Sequence, residues 1–152
     1  MSQDCFICSK HRGKILNAGT RIYEDDLVYV GHIDKGLNPT YLGHLMIDLK
    51  RHAPEIGDMT TDEAKAFGLI MARVSRALTE VEGAEHIYSM VSGNSVSHLH
   101  MHVVPRYPDT PKEFWSPMGL NEWAGAPKGI GDEINEVCDR IREYLIETSH
   151  EE

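Results

Sequence analysis

Apolar and polar residues alternate over two short runs in "RIYEDDLVYVGHI", Arg21 to Ile33, and the polar Glu24-Asp25-Asp26 divides them. Two β-rich runs around a polar turn predict a hairpin. "GHLMIDL", which follows the loop opening at Asn38, predicts a further strand, and "HIYSMVS", His86 to Ser92, another, interrupted at Gly93-Asn94. Between them the period changes. Ala64, Phe67, Met71, Val74, Leu78 and Val81 recur at spacings of three and four, Thr60 with Glu63 forms a capping box, and Gly83 supplies a stop. One long helix is predicted there, with Met71 in its apolar stripe. A last helix over 132–148 carries Ile134, Val137, Cys138, Ile141 and Leu145 on one face, and "ETSHEE" reads as a frayed tail. From Pro105 to Gly131 neither period holds, and Pro, Gly and Trp dominate. A segment of that kind is a lid or a wrap over a partner subunit.

This order of elements predicts an α+β fold of antiparallel strands with one long central helix and a C-terminal helix. No repeat or linker divides the chain, so 1–152 reads as a single domain: a motif-bearing core over 1–107, an extended segment over 108–131 and the helix over 132–148. With 41% hydrophobic and 26% charged residues, wholesale disorder is excluded.

Charge narrows the partners. Asp and Glu outnumber Lys and Arg by 24 to 15, giving a net charge of −9 with no basic stripe, which argues against a nucleic-acid polymer. A small anion held by local donors stays compatible. Neither a membrane span nor a signal peptide is indicated, and the chain reads as a soluble cytoplasmic protein. Three cysteines do not suggest a disulfide framework; Cys5 and Cys8 form a C-x-x-C that suggests zinc or redox chemistry, and Cys138 belongs to the core.

The densest chemistry lies in "SVSHLHMHVVPRY", Ser95 to Tyr107. On a strand, residues two apart share a face about 6.6–7 Å apart. His98, His100 and His102 therefore share one face, while Leu99, Met101 and Val103 turn to the core, and Pro105 ends the strand. Two chemistries fit. An H-x-H pair can chelate a metal, although the outer two imidazoles are about 13 Å apart at the backbone. Alternatively, a neutral imidazole is a competent nucleophile toward phosphorus, with a neighbouring histidine as proton donor.

"HLHMHVV", His98 to Val104, resembles the defining His-φ-His-φ-His-φ-φ motif of the histidine-triad (HIT) superfamily, where φ is apolar. "LGHLMIDLKRH", Leu42 to His52, resembles that family's G-H-x-L-x-x-P-K-x-H segment, and "CFIC" sits where many bacterial members carry C-x-x-C. The resemblance implies a HIT-like sheet of about five antiparallel strands, and a hydrolase or transferase acting at the α-phosphate of dinucleoside polyphosphates, nucleoside phosphoramidates or related nucleotide conjugates. It makes His100 the nucleophile that forms a nucleotidyl-imidazole and His102 the partner that contacts phosphate and assists the leaving group. Asn94 and Ser95 match residues that touch phosphate or leaving-group oxygens, His44 would support the triad from beneath, and Asp34 is the nearest match to a ribose-binding acid. Cys5, Cys8, His52 and His98 match a structural zinc site, and the covalent-histidine scheme demands no catalytic metal. A homodimer with joined sheets and a small-molecule nucleotide substrate are also implied. The alternative is a nucleotide-binding sensor or adaptor with little catalysis, which would share the pocket; a third reading makes the triad itself the ligands of a metalloenzyme.

Three positions depart from the family pattern. Asp48 and Leu49 stand where an apolar residue and proline are usual, and Asn94 is shorter than the usual glutamine. The remaining polar and aromatic residues carry plainer expectations. His32 and His86 read as ordinary surface or strand-end residues, and His11 and His150 as near-terminal residues without a signal. Lys50-Arg51 and Glu24-Asp25-Asp26 read as solvated charges. Trp115 and Trp123 read as dimer packing in preference to caps over a base.

Overall fold

A polar turn starts the sheet. Asp25 Oδ1 accepts the backbone N–H groups of Leu27 and Val28 at 2.8 and 2.9 Å, closing the hairpin between two strands by an Asx-type turn. The computed structural model describes residues 5–15 and 19–151. In chain order these form α1 (Phe6–His11), β1 (Thr20–Glu24), β2 (Val28–His32), β3 (Thr40–Tyr41), β4 (Leu45–Leu49), α2 (Thr61–Glu82), β5 (His86–Met90), β6 (His100–Arg106), β7 (Lys128–Gly129) and α3 (Asp132–Glu147). Five strands make one antiparallel sheet in the order β1-β2-β4-β6-β5, and β3 pairs with β7 in a separate ribbon. The expected α+β architecture is observed, with α1 and the small ribbon added.

The long helix has the predicted ends. Thr60 Oγ accepts Glu63 N–H at 3.1 Å, Glu63 Oε1 accepts Thr60 N–H at 2.8 Å, and Gly83 leaves the helix at φ 77°. Its buried stripe differs in detail. Phe67, Ile70, Val74, Ala77 and Leu78 are buried, Met71 and Val81 are half-buried and Ala64 is exposed. Over 22 residues the 3.6 period drifts away from a strict seven-residue spacing. The α3 stripe of Ile134, Val137, Cys138, Ile141 and Leu145 is buried as expected. Both helices cover one face of the sheet, enclosing Leu45, Ile47, Leu49, Leu99 and Val103.

One expectation in the chain's later half is corrected. Pro105 does not end the histidine strand, because β6 runs on through Arg106. The last β4 partner of β6 is Val103, so Pro105 lies where β6 is paired on one side only, a place that tolerates a residue without an N–H. The aperiodic segment after it folds onto its own chain. Leu120 is buried in a second small core with Tyr41 and Val104, and Trp115 lies with the Arg106 guanidinium 3.7 Å from its ring centroid. Of the expected frayed tail, Ser149–Glu151 form a short 3-10 turn and Glu152 lies outside the described residues.

Candidate active site

The face of the sheet opposite α2 and α3 carries the histidines. In register, Asp48 of β4 faces Tyr29 of β2 on one side and His100 of β6 on the other; Met46 likewise lies between Gly31 and His102. Alternation turns these side chains away from the helix-packed core, and α1 covers one end of the face through Lys10 and His11, both paired with Asp48 Oδ2.

The three histidines are not equivalent. Strand pairing begins at His100, and His98 sits in the bend before it. Its Nε2–H donates to the Leu49 carbonyl at 2.6 Å. A carbonyl only accepts, so in the neutral ring the lone pair is on Nδ1. That atom is 3.4 Å from both Cys5 Sγ and Cys8 Sγ and 3.2 Å from His52 Nδ1, and Cys8 Sγ is 3.4 Å from His52 Nδ1. The four donors lie within 4.8 Å of one another, and this cluster could hold a metal ion. α1 brings the two sulfurs one turn apart, and the loop after β4 brings His52. Beside His52, Arg51 makes two hydrogen bonds to the Glu63 carboxylate at 2.9 and 3.0 Å, which pins that loop to the start of α2. Arg51 holds the Glu63 carboxyl well below its usual range, at about 2.

His100 is fixed by the main chain. Its Nδ1–H donates to the His98 carbonyl at 2.7 Å, leaving the Nε2 lone pair for chemistry. His102 is fixed by a side chain, with its Nδ1 2.9 Å from His44 Nε2. Burial, with His102 nearby, drives the His44 pKa down to about 3. The His102 value is also lowered, first by burial and then by His100. The pair is therefore neutral at neutral pH. If His44 is the donor, His102 presents Nε2–H outward.

His44 is itself positioned by a residue whose sequence context predicts only a surface or strand-end place. His32 is 1% exposed; its Nδ1–H donates to Ile33 O at 2.6 Å and its Nε2 accepts Gly43 N–H at 2.9 Å. Gly43 cannot be replaced cheaply: it has φ 92°, and an added Cβ would lie 2.5 Å from Tyr107 Oη and 2.7 Å from Pro105 Cγ. The sequence offered no signal for this role of His32, because its partner comes from a turn eleven residues away. His11 was missed for a similar reason. Its partner is Asp48, which in the sequence stands out only as a departure from the motif that Leu42 to His52 resembles.

A cleft of about 180 Å³ opens between α1 and the β2–β4 ladder, lined by Phe6, Lys10, Gly31, His32, Ile33, Asp34 and Met46, the last being the cross-strand neighbour of His102. Asp34 thus stands at the cleft, its Oδ1 accepting Gly36 N–H at 2.8 Å. Asn94 and Ser95 are exposed in the loop entering β6, and their side chains make no hydrogen bond among the described residues. His86 is exposed, as expected, and packs edge-on against Tyr88.

A five-stranded sheet backed by a long helix, with His-φ-His-φ-His leading into its fourth-ordered strand, defines a histidine-triad protein. The HIT domain family model matches residues 16–109, and the chain belongs to that family. An uncharacterized HIT-like protein of Borreliella burgdorferi is 31% identical over 114 residues, covering 68% of this chain and 76% of that protein. A bis(5'-adenosyl)-triphosphatase of Dictyostelium discoideum is 29% identical over 46% of this chain and 50% of its own length. Among solved structures, a zinc-bound histidine triad family protein of Mycobacterium smegmatis superposes with a TM-score of 0.71 at 20% identity, over 100% of both chains. At that identity it supports the fold alone. The family includes hydrolases of small nucleotide substrates. Among the described residues, no helix is long and apolar enough to cross a membrane.

Proposed function

We propose that the protein is a nucleotidyl hydrolase or transferase acting at the α-phosphate of dinucleoside polyphosphates, nucleoside phosphoramidates or related conjugates. The observation that carries this reading is the tautomer of His100: Nδ1–H is committed to the His98 carbonyl, so Nε2 is free to attack. Nε2 bonds to the α-phosphorus, and the bond to the leaving group breaks with its electron pair leaving on that group. The nucleotidyl-imidazole is cationic, and the Nδ1–H···O=C bond strengthens as that charge develops. His102, oriented by His44, donates to a phosphoryl oxygen. Water then bonds to phosphorus, the P–N pair returns to Nε2, and a nucleoside monophosphate leaves as water gives up a proton to solvent. Asp34 accepts from ribose hydroxyls in the cleft, and Asn94 and Ser95 serve phosphate or leaving-group oxygens.

Zinc fits the Cys5-Cys8-His52-His98 cluster. Zn–S bonds of about 2.3 Å and Zn–N bonds of about 2.0–2.1 Å give a tetrahedron with S···N edges of roughly 3.5 Å and N···N edges of roughly 3.3 Å. The observed edges of 3.4 and 3.2 Å fit both. Four protein donors would close the site, so the ion would be structural, and the Leu49 carbonyl orients His98 as a second partner. Homodimerisation through β5 is part of the same reading. The β1 edge is broken by a bulge between Arg21 and Tyr23 and held by Arg142, whereas no strand among the described residues pairs with the outer edge of β5, the neighbour of β6.

The test is a panel of adenosine and guanosine polyphosphates and phosphoramidates labelled at the α-phosphorus, read by product and by acid-quench capture of label on His100. Turnover without any adduct, together with wild-type rates in His100→Ala, overturns the mechanism. Metal analysis that finds no zinc, with unchanged stability in Cys5→Ala, removes the zinc assignment.

A further inference from the structure

Asp48, which departs from the family pattern, lies behind the cleft and reaches it only through its partner Lys10. Its side chain is fully buried, and Oδ2 is paired with both Lys10 and His11, at 3.1 Å in the case of His11. Asp48 Oδ1 and His11 Nδ1 are buried without hydrogen-bond partners. Lys10 and His11 keep the Asp48 carboxyl ionised, below its usual range against the pull of burial. An ion pair buried this deeply is a poor way merely to dock α1. Hydrocarbon of similar volume does that as well or better, because it avoids stripping water from two charges. What hydrocarbon cannot do is present a donor to a ligand.

Lys10 does face a ligand site. Only 7% of its side chain is exposed, yet it lines the cleft, with Nζ 5.0 Å from the centroid of the Tyr29 ring. An ammonium has three N–H donors and no acceptor, and one donor is taken by Asp48. The other polar groups of the cleft are spoken for. Both His32 nitrogens are used by the backbone, and Asp34, an acceptor, suits ribose hydroxyls. Phe6, Gly31, Ile33 and Met46 make the remaining walls apolar, as suits a flat ring.

We infer that Lys10, anchored by Asp48, is a specificity-determining residue that selects a base with an acceptor edge, favouring oxopurines over adenine. Guanine and hypoxanthine present O6 and N7, both acceptors, to such a donor. Adenine replaces O6 with an amino group, which sets donor against donor. The inference rests on the nucleotide reading above and names the base for that same site.

Isothermal titration of GMP, IMP and AMP into the wild type, Lys10→Met and the double variant Lys10→Met/Asp48→Leu tests it. The double variant removes both charges together, so it guards against a fold lost to an unpaired carboxylate. The wild type is expected to bind GMP and IMP about tenfold more tightly than AMP. Both variants should bring the three within about twofold, with the double variant melting near the wild type. Equal affinities in the wild type, an AMP preference, or a preference that survives in the variants overturns the inference. Guanosine, inosine and adenosine provide the second arm. Should they show no preference while Lys10→Met weakens every nucleotide equally, Lys10 serves phosphate and the base assignment is wrong. Failure of the wild type to bind any nucleotide removes the nucleotide reading itself, and is distinguishable from all of these.

Discussion

The two faces of the central sheet are built on opposite rules. On the helix-packed face Leu45, Ile47, Leu49 and Val103 are fully buried hydrocarbon. Their contribution scales with the area and volume they remove from water, and neighbours of similar size could replace them. On the other face Asp48, His98 and His100 are almost as deeply buried, but each is held by named atoms at hydrogen-bond distance. There the count of lone pairs and protons matters, and volume matters little. One face stores stability that any snug hydrocarbon could supply; the other uses that stability to keep buried polar groups in place.

Substitutions should separate the two. The largest effect is expected at His100→Ala, which should lower kcat about a thousandfold or more with nucleotide affinity little changed. A steady-state assay beside equilibrium titration checks both. On the opposite face Ile47→Ala should cost about 3 kcal/mol in denaturant unfolding, while the rate per folded molecule stays near wild type. If Ile47→Ala instead removed activity from fully folded protein, the division between the faces would fail. His44→Asn should lower kcat about tenfold with KM little changed, since it removes one orienting hydrogen bond.

The same histidine gives a pH test. With its folded pKa depressed from 6.5 to about 3, an unfolded chain binds a proton that the folded chain refuses between those values. Unfolding free energy therefore rises with pH through that window, is complete above about 6.5, and is lost as pH falls. His44→Asn should flatten this acid slope, and His32 and His102, lowered by burial as well, keep part of it. The smallest effect is expected for Thr60→Ala, about 1 kcal/mol in thermal melts from the lost cap, with no change in rate.

The difference between the faces also governs what was legible in the sequence. The hairpin, the α2 caps and the α3 stripe depend on residues close together in the chain, so period and capping chemistry reveal them. Ala64 and Pro105 differ from what local pattern predicts because their surroundings come from helix drift and from where β4 ends, neither of which is local. The Cys5-Cys8-His52-His98 cluster was legible through resemblance to a family; spacing alone gave only a C-x-x-C. His32, His11 and the pairing of Lys10 with Asp48 were not legible. Each depends on one long-range contact to one atom, and no periodic pattern encodes such a contact.

The carbonyl that fixes His100 belongs to residue 98, whose imidazole serves the cluster with Cys5, Cys8 and His52. Every amino acid carries that carbonyl. Mutation at position 98 can erase a ligand but cannot erase the acceptor, so long as the bend before β6 keeps its path. The proton of His100 is thus assigned by a group the genetic code has no means to alter. This gives the His100 ring orientation a mutational robustness that His102, which depends on the side chain of His44, does not share.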